Sequence, residues 1–218
     1  MKVLLVEDDA GLREGMAELI SEQAVVREAG SVAEAQRALS EESFSLVVTD
    51  LRIGNSGNGG RVILEEARKR LQPVAIVSAS SGEEVLRVLR PHEPDAVLHK
   101  PFQIEDMMEL VERFGRLRHE AERLAATSVP PEDAWMTEPT TGVRLAHRPD
   151  GGLWLRLAPG SSHRQPAHRG RLTMVVVEGS LEVDGEARAR GAPFYVAAGP
   201  HELRTQEGCL AVAIPLSA

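Results

Sequence analysis

The stretch VLLVEDD at residues 3–9 decides the fold that we predict for the first half of the chain. Four aliphatic residues follow one another without interruption and then give way to three acids. Such a run is typical of a strand that is buried on both faces, as in the middle of a parallel sheet. Leu12, Met16 and Leu19 then recur at helical spacing, so the chain begins with a strand followed by a helix.

The same unit of strand and helix is repeated four more times. Aliphatic strands are predicted at residues 24–26, 44–49, 74–78 and 96–99. A helical pattern follows each of them, and the last begins near Ile104. Five such units predict an α/β fold with a doubly wound five-stranded parallel sheet. Binding sites in sheets of this kind lie at the carboxyl ends of the strands, so the residues that end the strands are the candidate site.

Three carboxylates stand at two of these strand ends. Glu7 and Asp8 follow the first strand, and Asp50 ends the third. Carboxylates brought together in this way are best tolerated around a hard cation such as Mg²⁺. Ser78 and Lys100, at the ends of the fourth and fifth strands, would complete a ring around Asp50. A carboxylate nucleophile surrounded by a cation, an ammonium group and a hydroxyl group predicts a phosphoryl-transfer site.

Residues 1–118 resemble the receiver domain of two-component response regulators. The resemblance rests on four segments in the family's order and spacing: LLVEDD (4–9), VVTDL (47–51), IVSAS (76–80) and HKPF (99–102). It implies the flavodoxin-like receiver fold and a phosphoprotein in a phosphorelay, with a sensor histidine kinase as the partner that phosphorylates Asp50.

The resemblance also implies the role of each site residue. Glu7, Asp8 and Asp50, together with the backbone carbonyl of Arg52, would hold magnesium. Ser78 and Lys100 would contact the phosphoryl group, and a cis peptide bond would precede Pro101.

Two features depart from the family's pattern. The segment LRIGNSGNGG at residues 51–60 lacks the usual proline and contains four glycines, so we expect a mobile loop there. Val97 stands where the family usually has a Tyr or Phe whose rotamer relays the signal. The usual relay is therefore not expected.

The last helix is predicted to extend to residue 126 and to join the two halves of the chain. Its apolar residues alternate at steps of three and four, the a/d pattern of a coiled coil, and they are Met107, Leu110, Phe114, Leu117, Ala121 and Leu124. This pattern predicts a homodimer through the helix at 104–126, although an ordinary amphipathic helix explains its first half equally well. We assign residues 119–142 to a helix extension and linker, because residues 127–141 are rich in Pro, Thr and acids.

Residues 143–218 follow a different pattern, with short strands separated by Gly and Pro. Strands are expected at residues 153–157, 173–177, 181–183, 194–196 and 209–214, as in a small all-β sandwich or barrel. The segments PGSSHRQPAH (159–168) and GAPFYVAAGPH (191–201) resemble the two motifs of cupins. The resemblance implies a cupin-like barrel whose pocket carries His163, His168 and His201.

The predicted metal set of this barrel is incomplete. Pro166 stands at the position of the family's first histidine, and Leu172 at that of its glutamate. A catalytic metal generally needs three protein ligands and an open position. The histidines therefore either bind a metal weakly, with His163 as a substitute ligand, or simply line a pocket for a small ligand or a protein.

Composition narrows the classes of function. The net charge is −8, and residues 127–218 contain 9 Lys and Arg against 10 Asp and Glu, so direct DNA binding is not expected. No apolar run is long enough to span a membrane, no signal peptide opens the sequence, and Cys209 is a lone cysteine. We therefore expect a cytoplasmic protein.

Together these features predict a response regulator that is phosphorylated on Asp50 and acts through a cupin-like binding domain, and that is not an enzyme. Two alternatives stay open at this point. One is a phosphorylation-controlled cupin metalloenzyme, and the other is a scaffold with an inactive receiver.

Overall fold

The computed structural model describes residues 1–54, 57–139, 143–149, 152–168, 171–188 and 190–216. The chain forms two compact units, residues 1–115 and residues 116–218. None of the helices in the described ranges is long and apolar enough to cross a membrane.

In its described residues, the first unit alternates five strands with five helices. The strands are β1 (Lys2–Val6), β2 (Val25–Ala29), β3 (Leu46–Asp50), β4 (Val74–Ser78) and β5 (Ala96–His99). The helices are α1 (Ala10–Ser21), α2 (Val32–Glu41), α3 (Gly59–Lys69), α4 (Gly82–Leu89) and α5 (Ile104–Ala125), and α5 continues into the second unit. The strands pair in parallel in the order β2-β1-β3-β4-β5, which confirms the predicted five-stranded sheet.

The continuous apolar run of β1 is explained by burial on both faces of this sheet. Leu4 and Val6 pack into one cluster with residues of α2 and α3 such as Leu39 and Ile63. Val3 and Leu5 point to the other face, where a second cluster includes residues of α1 and α5. Both faces of a strand that lies between two helical layers must be apolar, so the strand loses its polar alternation.

Local capping interactions set where the helices begin. Asp9, Ser31 and Ser81 are the N-caps of α1, α2 and α4, and each side chain accepts a hydrogen bond from a backbone N–H in the first turn. The cap on α1 places Glu7 and Asp8 between the end of β1 and the start of the helix. The peptide bond between Lys100 and Pro101 is cis, as the resemblance implied.

The described residues of the second unit contain the end of α5, a short 3₁₀ helix at Glu132–Ala134, and ten strands. The strands are β6 (Met136–Thr137), β7 (Arg144–His147), β8 (Leu153–Leu157), β9 (Ser162–His168), β10 (Arg171–Gly179), β11 (Leu181–Val183), β12 (Glu186–Arg188), β13 (Phe194–Val196), β14 (Gly199–Arg204) and β15 (Cys209–Leu216).

These strands form two antiparallel sheets. One has six strands in the order β13-β10-β15-β8-β7-β6, and the other has four in the order β12-β11-β14-β9. The second unit is thus rich in antiparallel β structure, as the spacing of its short strands predicted. That these sheets form a cupin-like barrel remains a proposal.

The apolar stripe of α5 is buried within the chain itself. In the first unit Met107, Leu110 and Phe114 pack against the sheet. In the second unit Leu117, Ala121 and Leu124 pack with Trp135, Trp154 and residues of β15, and Ala121 and Leu124 are fully buried. The prediction of a coiled-coil seam along this stripe is therefore corrected, because its side chains already have intramolecular partners. Formation of a homodimer itself stays a prediction.

The end of α5 bears on the predicted division of the chain, which stays a prediction. The predicted helix extension and linker at 119–142 lies within the second compact unit. Trp135 packs against the helix and is covered by the guanidinium of Arg156, whose carbon lies 4.3 Å from the centroid of the indole ring.

Candidate functional site

Three strands bring the predicted site residues to one edge of the parallel sheet. Asp50 is the last residue of β3, Glu7 follows β1, and Lys100 follows β5. The Nζ of Lys100 donates hydrogen bonds to Asp50 Oδ2 and, over 2.9 Å, to Glu7 Oε2. The Glu7 side chain is only 4% exposed, and that of Asp50 is 15% exposed. The ammonium group therefore compensates two carboxylates that are largely withdrawn from water.

Asp8 and Asp50 are oriented by backbone donors of the segment that follows β3. Asp8 Oδ2 accepts a hydrogen bond of 3.0 Å from the amide of Gly54. Asp50 Oδ1 accepts one of 2.7 Å from the amide of Arg52. The backbone of segment 52–54 thus holds both acids in place.

The pKa of Lys100 is raised above its ordinary value, which records how strongly the acids hold it. Burial alone would lower this pKa, but hydrogen bonds and Coulomb attraction to Asp50 and Glu7 outweigh the desolvation. Lys100 therefore stays charged at neutral pH, and the carboxylates of Asp50 and Glu7 favour a positive charge at this position.

The donor set fits a magnesium ion, although the side chains are not gathered around one here. Within the described ranges no three His, Cys, Asp or Glu side chains are arranged to hold a metal ion. The reason is visible in the geometry, since Lys100 lies against Glu7 and Asp50 while Asp8 is turned to Gly54. The carboxylates of Glu7, Asp8 and Asp50 offer hard oxygen ligands, and Mg²⁺ is typically bound by one or two carboxylates with water.

Ser78 lies at the same sheet edge, at the end of β4, and is almost fully buried. Its hydroxyl accepts a hydrogen bond of 3.0 Å from the amide of Ser80. The carbonyl of Ser80 lies 3.1 Å from Nδ1 of His99, and its hydroxyl accepts a bond of 3.3 Å from Nη2 of Arg52. The segment 78–81 is therefore connected both to the site and to the start of α4.

Sequence reasoning missed the structural role of two glycines in the segment after Asp50. Gly59 and Gly60 were expected to lie in a mobile loop, whereas they form the first turn of α3 and are buried. A Cβ on Gly60 would lie 2.5 Å from the carbonyl oxygen of Asp50, and one on Gly59 only 2.4 Å from that of Ile53. These contacts are too close for any side chain, so the glycines let α3 approach the backbone of the segment that follows Asp50. The pair Gly-Gly ahead of an apolar helical pattern was the available signal.

Among the side chains that the structure describes in the second unit, no three His, Cys, Asp or Glu residues are arranged to hold a metal ion. In His201, Nδ1 lies 2.6 Å from Asp184 Oδ2 and Nε2 lies 2.7 Å from the carbonyl oxygen of Ala197. Both ring nitrogens therefore already lie within hydrogen-bond distance of protein oxygen atoms. By register His201 is opposite Gln165 and His163 is opposite Leu203, so His163 and His201 share one face of the four-stranded sheet. The backbone of His168 pairs with Gly199, and its side chain lies outside the described part of the structure.

Comparison with known proteins agrees with this geometry. The profile of the family described as "Response regulator receiver domain" matches residues 3–112, about half of the chain. The chain belongs to the response-regulator receiver family. A receiver of this family is a component of two-component signalling, and the match spans Glu7, Asp8, Asp50, Ser78 and Lys100.

Two curated relatives extend the similarity beyond the receiver. The chain is 28% identical over 167 residues to the transcriptional regulatory protein PdtaR of Mycobacterium tuberculosis, which covers 72% of this chain and 81% of that protein. It is 26% identical over 147 residues to the probable C4-dicarboxylate response regulator DctR of Bacillus subtilis, which covers 66% of this chain and 65% of that protein.

Solved structures confirm the fold of the receiver. The N-terminal domain of an uncharacterized protein from Wolinella succinogenes is 26% identical with a TM-score of 0.50, and the match covers 55% of this chain and 98% of that structure. The signal receiver domain of a putative LuxO repressor protein from Vibrio parahaemolyticus also has a TM-score of 0.50, at 19% identity, with 58% and 98% of the two chains covered.

Proposed function

We propose that this receiver accepts a phosphoryl group on Asp50 from a sensor histidine kinase, with magnesium bound by Glu7, Asp8, Asp50 and the carbonyl of Arg52. The observation that carries the proposal is the contact of the Lys100 ammonium with both Asp50 and Glu7 at the carboxyl edge of the sheet. Magnesium would supply charge for the transferring phosphoryl oxygens. Lys100 would hold a phosphoryl oxygen, and the hydroxyl of Ser78 would donate to another.

This proposal is tested by phosphorylation with a small phosphodonor and Mg²⁺. We expect one acid-labile phosphoryl group for each chain, which Asp50→Asn abolishes because an amide cannot act as the nucleophile. Asp9→Asn is the matched control, since Asp9 caps α1 at the same sheet edge and asparagine caps equally well. Label that persists in Asp50→Asn would contradict the assignment, and a wild-type chain that takes no label would favour an inactive receiver.

For the second unit we propose a cupin-like binding domain that recognises a small ligand or a protein and is not a metalloenzyme. His201 supports this proposal, since both of its ring nitrogens already have protein partners. The near balance of charge in residues 127–218 supports an output other than DNA binding. One relative is named a transcriptional regulatory protein, and that name favours the opposite output, control of transcription.

Metal analysis and DNA binding separate these outputs. Protein purified without added metal should contain no stoichiometric transition metal, and its phosphorylated form should bind duplex DNA no more tightly than the unphosphorylated form. A metal that is lost in His201→Ala would favour the enzyme, and salt-sensitive DNA binding would favour direct transcriptional control.

A further inference from the structure

The side chain of Arg52 connects the phosphoacceptor segment to the first turn of α4. Its Nη2 donates a hydrogen bond of 2.8 Å to Glu84 Oε1 and one of 3.3 Å to the hydroxyl of Ser80. Its own amide donates to Asp50 Oδ1. A single residue therefore contacts the phosphoacceptor carboxylate through its backbone and α4 through its side chain.

The ion pair between Arg52 and Glu84, called the bridge below, is weak enough for Arg52 to leave it for another anionic partner. The Arg52 side chain is 64% exposed and that of Glu84 is 33% exposed, so water screens the ion pair. A phosphoryl group on Asp50 would bring a charge of about −1.5 to −2 and three acceptor oxygens, whereas Glu84 offers one carboxylate. A guanidinium group prefers a phosphate because several N–H groups can donate to it at once.

The aromatic relay of other receivers is absent at the corresponding position, where Val97 packs against the core cluster of the sheet. An aliphatic side chain has no large rotamer change with which to report the state of Asp50. The segment 78–81, by contrast, is connected to the site through Ser78 and to the bridge through Ser80.

We propose that Arg52 is the relay of this receiver: it exchanges Glu84 and Ser80 for the phosphoryl group on Asp50 and thereby releases the first turn of α4. This inference rests on the proposed phosphorylation of Asp50. Arg52 acts in it as a positioning residue, since its effect on the output passes through α4.

The proposed exchange predicts that substitutions of Glu84 and of Arg52 change the affinity for beryllofluoride in opposite directions. Glu84→Gln weakens the resting bridge, so it should strengthen the apparent affinity for beryllofluoride with Mg²⁺ by about three- to five-fold, the scale expected for one half-exposed ion pair. Arg52→Ala removes the group that would bind the phosphoryl mimic, so it should weaken that affinity. Glu83→Gln is the matched control, because it removes the same charge from the same helical turn and Glu83 is exposed.

Amide hydrogen exchange of residues 82–86 supplies the second readout. Beryllofluoride should speed exchange there in the wild type, and Glu84→Gln should show faster exchange without it, while Glu83→Gln behaves as the wild type. Equal affinities in Glu84→Gln and Glu83→Gln, or an unchanged first turn on beryllofluoride binding, would overturn the relay. Phosphorylation of Asp50 measured on the same samples separates the two proposals, because label on Asp50 without a response of α4 refutes only the relay.

Discussion

Lys100 is the residue that holds the acids of the site together, and it supports the first prediction. Lys100→Met would leave Glu7 buried without its charged partner and Asp50 close to it, which costs about 3 kcal/mol of unfolding free energy. Mg²⁺ should restore more stability to this variant than to the wild type, because the ion replaces the lost positive charge. Urea unfolding with and without Mg²⁺ measures both effects.

The pH dependence follows from the raised pKa of Lys100. A raised pKa in the folded state contributes stability that is complete below the ordinary lysine value of about 10.4 and is lost as the pH rises through the higher folded value. The stability difference between the wild type and Lys100→Met should therefore be constant from pH 7 to pH 9. Lys69→Met is the control, since Lys69 is 70% exposed and should change stability little.

Gly60 supports a prediction about close packing. Gly60→Ala would place a Cβ 2.5 Å from the carbonyl oxygen of Asp50 and 2.8 Å from Cα of Leu51, so α3 must move away from the backbone of these two residues. We expect a loss of about 1–3 kcal/mol in unfolding free energy and slower phosphorylation. Gly15→Ala in α1 is the matched control, because its Cβ meets nothing within 4 Å and alanine favours a helix. A Gly60→Ala variant as stable and as reactive as the wild type would contradict this role.

At the scale of elements, a buried ion pair ties α3 to the start of β5. The Asp95 side chain is fully buried and accepts hydrogen bonds from Arg68 Nη1 at 2.6 Å and from the amide of Val74 at 2.8 Å. Asp95→Ala removes the partner of a buried charge and should cost about 3–5 kcal/mol. The comparison is Arg61→Ala on the exposed face of α3, where loss of the pair with Glu65 should cost about 0.5 kcal/mol or less. Equal midpoints of urea unfolding for the two variants would refute the buried pair as a structural tie.

At the scale of the whole molecule, the end of α5 belongs to the core of the second unit. Leu124→Ala should lower the stability of this unit by about 2–5 kcal/mol, because Leu124 is fully buried against its sheet. A chain of residues 116–218 should unfold cooperatively, whereas one of residues 143–218 should not, since it lacks the helix and Trp135. Cooperative unfolding of the chain of residues 143–218 would contradict this role of the helix and would support the domain boundary at residue 143 that the sequence predicted.

The sequence by itself determined the parallel sheet and the location of the candidate phosphorylation site. The pattern of apolar residues is a local signal, because a strand between two helical layers is apolar throughout. The site residues can be read from it as well, since they stand where such strands end. That Asp50, Glu7 and Lys100 lie close together could be predicted from the sequence alone, since parallel strands bring their carboxyl ends to one edge. The short alternating strands of the second half likewise predicted antiparallel β structure.

Only the tertiary structure decided which partners the ambiguous residues take. An a/d stripe is the same for a helix that packs on its own chain and for one that packs on a second copy, so the sequence of α5 could not distinguish them. Likewise, the sequence could not place Asp184 and the carbonyl of Ala197 beside His201, because that contact depends on strand register and on loops distant in sequence. The role of Gly60 was hidden for the same reason, since a close approach between two backbones is a property of the folded chain and not of the local sequence.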